Sequence, residues 1–173
     1  MEKPFFYYEP LKLWEEIIIA VYAALTICFF LKYEFGHIES KAGVLLLYVM
    51  GTQFCLIFGL YTSIRNFRSY LIWLFFSLLH VAMYFIFRHN PKFKFWQGNP
   101  LTSLLITVAI LLLYQILRIL SLKIQQREFY TPGRGYDWIT GKKVSYTDYF
   151  LFGIWFLTVV TLITLSFSTK HIF

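Results

Sequence analysis

The chain reads as an all-α integral membrane protein, a bundle of about five transmembrane helices with one longer basic, aromatic loop on the cytoplasmic side. Three observations predict this class. Of 173 residues, 58% are hydrophobic and only 14% charged, whereas soluble domains carry about 25% charged residues. Too few polar groups remain to cover a water-facing surface, so lipid must be the solvent. The apolar residues also form continuous runs rather than an alternating pattern, which excludes the strands of a transmembrane barrel. Finally, basic residues flank the runs, where they anchor a chain at anionic headgroups.

A single polytopic domain over 1–173 follows, and its elements can be taken in order. The opening "MEKPFFYYEPLKLWEE" has paired aromatics, two prolines and Trp14, the composition of an interfacial anchor. It lacks the basic n-region and small-residue cleavage site of a secretory signal, so the first run is expected to stay in the mature protein. That run, about 17–31, is short for the ~20 residues a spanning helix needs. It lengthens through Trp14 and Leu13 if Glu15 and Glu16 cap the helix start or snorkel. The second run covers about 42–63, the third 70–87, the fourth 101–122 and the fifth 149–169, none with a charge in its middle.

Five spans place the termini on opposite sides. Ten Lys and Arg residues fall on the N-terminal side of this topology and six on the other. The excess predicts an N-terminus, and a 123–148 loop, on the cytoplasmic or matrix side. A bacterial cytoplasmic membrane or an organellar inner membrane is the expected location. The net charge of +7 is thereby assigned to membrane lipids as partners, not to nucleic acid.

Polar groups at membrane depth are costly unless paired. Gln53 and His80 each lie about ten residues into consecutive spans, about 15 Å deep at ~1.5 Å per residue. The short "IRNFRS" link makes those spans antiparallel neighbours. A Gln53–His80 hydrogen bond is therefore expected as a packing element. His37, His89 and His171 lie near span ends or beyond them, so no second mid-membrane histidine is at hand for a haem. Arg118, in the last turn of the fourth run, is expected to snorkel or to hold a lipid headgroup. Gly51, Cys55 and Gly59 recur every four residues, a small-residue stripe that lets helices approach closely. Thr158, Thr161 and Ser168 mark the fifth span in the same way. Cys28 and Cys55 sit in apolar runs with no ligand cluster nearby, so neither a disulfide nor a metal site is expected.

The passage "QQREFYTPGRGYDWITGKKVSYTDYF" is the one long polar stretch. It is not a phosphate-binding loop. A P-loop requires G-x-x-x-x-G-K-[ST], yet the position five before Gly141 is Tyr136 and the last position is Lys143. "YTPGRG" reads as a turn, and "DWITGKKVSYT" as a short hairpin about Gly141-Lys142. Thr147 or Asp148 is expected to cap the fifth helix. With no nucleophile–base pair, carboxylate pair or metal set, the loop reads as a docking surface. Its anchors are Arg134, Tyr136, Trp138, Lys142, Lys143 and Tyr146.

Length, five spans and "SIRNFRSYLIWLFFSLLHVAMYF" resemble small membrane-arm subunits of respiratory complexes, although the Gly-Ala-rich third helix of that family is missing. The resemblance implies a subunit among other helices, with His80 as proton relay or haem ligand in one version. The expected function is a noncatalytic structural or accessory subunit of a larger integral membrane complex. It needs no cofactor and has other membrane subunits and lipids as partners. A small transporter or channel is the alternative, but no inverted repeat, mid-span break pair or intramembrane acid supports it.

Overall fold

The computed structural model describes residues 7–35, 41–89, 100–132, 135–137 and 139–168. Among them the protein is all-helical. The helices are α1 (Leu13–Phe35), α2 (Lys41–Phe54), α3 (Phe67–Phe87), α4 (Ser103–Gln125) and α5 (Tyr146–Ser168). Five helical stretches are long and apolar enough to cross a membrane.

Local chemistry sets each boundary. The first span does extend back to Leu13: Glu15 is buried and its carboxylate accepts from the backbone N–H of Lys12 at 2.8 Å. α2 ends as a wider π-turn over Cys55–Gly59, closed by Leu60 N–H donating to the Cys55 carbonyl at 2.8 Å. A 3₁₀ turn at Ser63–Arg65 then leads to α3, whose N-cap Asn66 accepts from Arg68 N–H. α4 stops at Gln126, held in the left-handed region at φ 53. The cap of α5 is neither Thr147 nor Asp148 alone. Ser145 Oγ accepts from Asp148 N–H at 3.2 Å, while Asp148 accepts from Ser145 N–H at 3.0 Å. This reciprocal capping box moves the helix start three residues upstream of the one the apolar run marks.

α4 is the axis of the bundle. Just over half of its apolar window, 56%, is buried, against 11% for α1. The main core joins Leu56, Ile57 and Leu60 of the α2 end to Trp73 and Phe76 of α3, Ile110, Leu111, Tyr114 and Leu117 of α4, and Leu151, Trp155 and Val159 of α5. A smaller apolar cluster at the other end joins Leu45 and Val49 to Met83, Phe87, Leu101 and Leu104.

The small-residue stripes are not the packing seams of this fold. Gly51, Cys55 and Gly59 are all exposed, and among the described residues no atom beyond the local helix lies within 4 Å of a Cβ built at either glycine. α2 packs inward through Leu45, Val49, Thr52, Gln53 and Leu56 instead. On α5, Thr158 is half-buried and Thr161 exposed, and the inward face is Leu151, Trp155 and Val159.

Candidate functional site

Two polar centres lie within the bundle. The first is centred on His80, which falls thirteen residues into α3, about 20 Å along at ~1.5 Å per residue. It is 1% exposed. Its Nε2 lies 2.8 Å from Tyr22 Oη and 3.1 Å from Tyr48 Oη, and its Nδ1 lies 3.1 Å from Thr107 Oγ1. Tyr22 Oη also lies 2.9 Å from Tyr48 Oη and 3.1 Å from Thr52 Oγ1. Thr26 Oγ1 lies 2.8 Å from Tyr48 Oη. One imidazole thus gathers hydroxyls from α1, α2 and α4.

The expected Gln53–His80 bond does not form. Gln53 points elsewhere along α2, and its Nε2 donates to the Ser103 carbonyl at the start of α4 at 2.8 Å. The two side chains tie α2 and α3 to α4 separately. Reading depth alone found both residues but not their partners. The overlooked signal was the Tyr-x-x-x-Thr pair carried twice, as Tyr22/Thr26 and Tyr48/Thr52. Spacing of four puts a phenol and a hydroxyl on one helix face. Both imidazole nitrogens are engaged, so an axial bond to a haem would first require breaking one of these contacts.

The second centre closes the end where the N-terminal segment, the α2–α3 turn and the 126–145 loop meet. Arg118 is turned inward here and does not reach for a headgroup. It is fully buried, and its Nε and Nη2 donate to the two oxygens of Glu128, each at 2.8 Å. The Tyr7 ring covers this guanidinium, 5.5 Å from centroid to Cζ. Burial first, and Glu128 second, push the Tyr7 phenol up to about 12. Arg65 is sandwiched between the Tyr61 and Tyr130 rings and donates to the Phe129 carbonyl at 2.6 Å. Asn66 and Glu9 exchange two hydrogen bonds, which pins the N-terminal segment to the α3 cap.

Two further buried acids lie at this end, Asp137 in the loop and Asp148 in the first turn of α5. Asp137 accepts from Tyr61 Oη at 2.6 Å, Thr131 N–H at 3.0 Å, Thr140 N–H at 2.9 Å and the Thr140 hydroxyl. Burial, then Asp137, raise the Tyr61 phenol above its ordinary range. Asp148 pairs with Arg127 and accepts from Gln125 Nε2 at 2.8 Å. The expected hairpin is reduced to an isolated antiparallel bridge, Tyr136 with Lys143, around Gly141 at φ 64, and a second bridge, Pro132 with Asp137, encloses Gly135 at φ 82.

Outward from these anchors, Tyr136, Ile139 and Tyr146 are exposed, Tyr146 by 94%, beside the exposed Lys142 and Lys143. Lys142 Nζ also lies 5.8 Å from the Tyr130 ring. Arg134 and Trp138 of the expected docking set, along with His37 and His171, lie outside the described residues. No group of three or more metal-ligating side chains occurs among the described residues. No family model, curated protein or solved structure matches the chain.

Proposed function

We propose that this protein is a noncatalytic accessory subunit of a larger integral membrane complex, and that it docks on another membrane subunit through the outer face of its 123–148 loop. The observation that carries this reading is how the loop's acids are used. Glu128, Asp137 and Asp148 are each buried in bonds within the chain. They tie the loop to the bundle and leave Tyr136, Ile139, Lys142, Lys143 and Tyr146 exposed. Ordering such a loop costs about 1–2 kcal/mol per residue in backbone entropy. Here that cost is met within the subunit, so a partner gains the full benefit of burying the aromatics. Exposed tyrosines on a rigid frame are typical interface anchors. The open Gly51, Cys55, Gly59 stripe offers a close-approach seam for a partner's helix within the bilayer. The proposed orientation puts the loop on the cytoplasmic or matrix side, as the ten-to-six basic bias indicates.

The test is purification in a gentle detergent from native membranes with Tyr136→Ala and Tyr146→Ala combined. Both basic residues stay in place. Loss of co-purifying membrane subunits, with unchanged accumulation of the variant, supports docking on protein. Retention of the same partners overturns it. If the variant instead loses only its preference for phosphatidylglycerol-containing over phosphatidylcholine nanodiscs, the face serves lipid.

A further inference from the structure

α1 buries three side chains along its described length: Glu15, Tyr22 and Thr26. Two of them belong to the His80 centre. In lipid no hydrophobic force drives one helix onto another, since the tails are as apolar as leucine, and polar contacts then act as glue. The way α1 is attached therefore depends on which protons these groups carry, and the protons can be counted.

Thr26 Oγ1 donates to the Tyr22 carbonyl and Thr52 Oγ1 to the Tyr48 carbonyl, each at 2.8 Å. A carbonyl can only accept, so both threonine protons are committed. Tyr48 must then donate its one proton to Thr26 Oγ1. Tyr22 must donate its proton toward Thr52 Oγ1 and Tyr48 Oη, because neither can give one back. Neither phenol has a proton left for the imidazole. His80 Nε2 must therefore be the donor to both, at 2.8 and 3.1 Å. Its Nδ1 is then the acceptor, and the Thr107 hydroxyl donates to it. With the Tyr22 and His80 protons each shared between two acceptors, one neutral arrangement that keeps both threonine protons on carbonyls satisfies the contacts, running from α4 through α3 to α1 and α2.

We infer that α1 is a separable helix, latched to the other four chiefly by this hydroxyl–imidazole circuit with His80 in its Nε2–H form, while its apolar contacts through Ile19, Ala23, Phe29 and Phe30 are only partly buried. Tyr22 is the bolt: its hydroxyl meets α2 twice and α3 once. Its ring still rests on Trp73 and Phe76, 5.1 and 4.9 Å between centroids, so Tyr22→Phe removes the bolt and keeps the packing.

Full-length protein in lipid bicelles, with Cys28 and Cys55 replaced by alanine, tests this. Spin labels at Leu25→Cys and Leu78→Cys read the α1–α3 distance. Labels at Leu78→Cys and Leu112→Cys read α3–α4 as a control. On addition of sodium dodecyl sulfate, α1 is expected to part from α3 before α3 parts from α4. Tyr22→Phe is expected to lower the docked-to-undocked ratio of α1 by about ten-fold or more at a given detergent fraction, on a scale of roughly 0.6 kcal/mol per interhelical bond. Ile19→Ala, an apolar truncation of the same seam, should change it less. Separation of all helices together overturns the inference. So does a Tyr22→Phe effect no larger than that of Ile19→Ala. The ¹⁵N shifts of the His80 ring give an independent check, and a protonated Nδ1 with a bare Nε2 overturns the proton assignment.

Discussion

Arg118 and Glu128 show how one residue pair can set a local hierarchy of stability. Both are buried, and the two oxygens of the carboxylate meet two nitrogens of the guanidinium. Removing one partner of such a pair strands a charge without its counter-ion, which typically costs about 3–5 kcal/mol. Glu128→Gln is therefore expected to lower stability on that scale in a denaturant titration in bicelles. Arg118→Met combined with Glu128→Leu should cost far less, since neither charge is then left buried. At this scale the sequence was only partly legible. The depth of His80 could be counted from a span boundary. The inward turn of Arg118 could not, because its partner lies beyond the end of the helix, where hydropathy carries no information about direction. Gln53 was singled out by its position in the run, but its Nε2 bonds to a backbone carbonyl, which no side-chain pattern encodes.

At the scale of elements, the polar segments explain more than the apolar runs. The Ser145–Asp148 box starts α5. Ser145→Ala is expected to cost about 0.5–2 kcal/mol, with faster hydrogen exchange confined to the first turn of that helix. The N-terminal segment gives a pH-dependent counterpart. The folded Tyr7 phenol is raised to about 12 from an ordinary 10.0. A raised folded value favours the protonated form, so the stabilisation is complete below pH 10 and is lost as pH rises toward 12. Phenolate absorbance should show a step near pH 12 that Tyr7→Phe removes, and release of the segment from Asn66 should accompany it. Helix bounds were legible to within about four residues except on α2, which was read to 63 but ends at Phe54 with its π-turn at Gly59. The caps were legible in part: Glu15 and Asp148 were expected at helix starts, but Ser145, the other half of the α5 box, lies outside the apolar run that marked the helix.

For the whole molecule, the five-helix architecture followed from composition and run length alone. The sequence placed the N-terminal segment and the long loop at one end, and they do meet there, through Tyr7 on Arg118 and Arg65 on Phe129. What the sequence could not convey is which face of each helix turns inward. Small residues marked a seam on α2 that the chain leaves open, because close approach is a capacity of a helix and not an instruction to use it. α4 became the axis through its residues Ile110, Leu111, Tyr114 and Leu117, in a run as uniformly apolar as its neighbours.

The closing of that shared end also has an order in time. Tyr61, Ile64 and Arg65 take their partners from residues 51 to 78 positions further along the chain: Gln115 and Tyr114 on α4, then Phe129, Asp137 and Ile139 in the loop. A ribosome that has just finished α3 has made none of these. Until they emerge, the polar groups of the α2–α3 turn have none of these partners, and they are buried only when the last quarter of the protein is delivered. The newborn chain thus holds its most polar corner open to the end of synthesis and seals it with the segment that leads into its final helix.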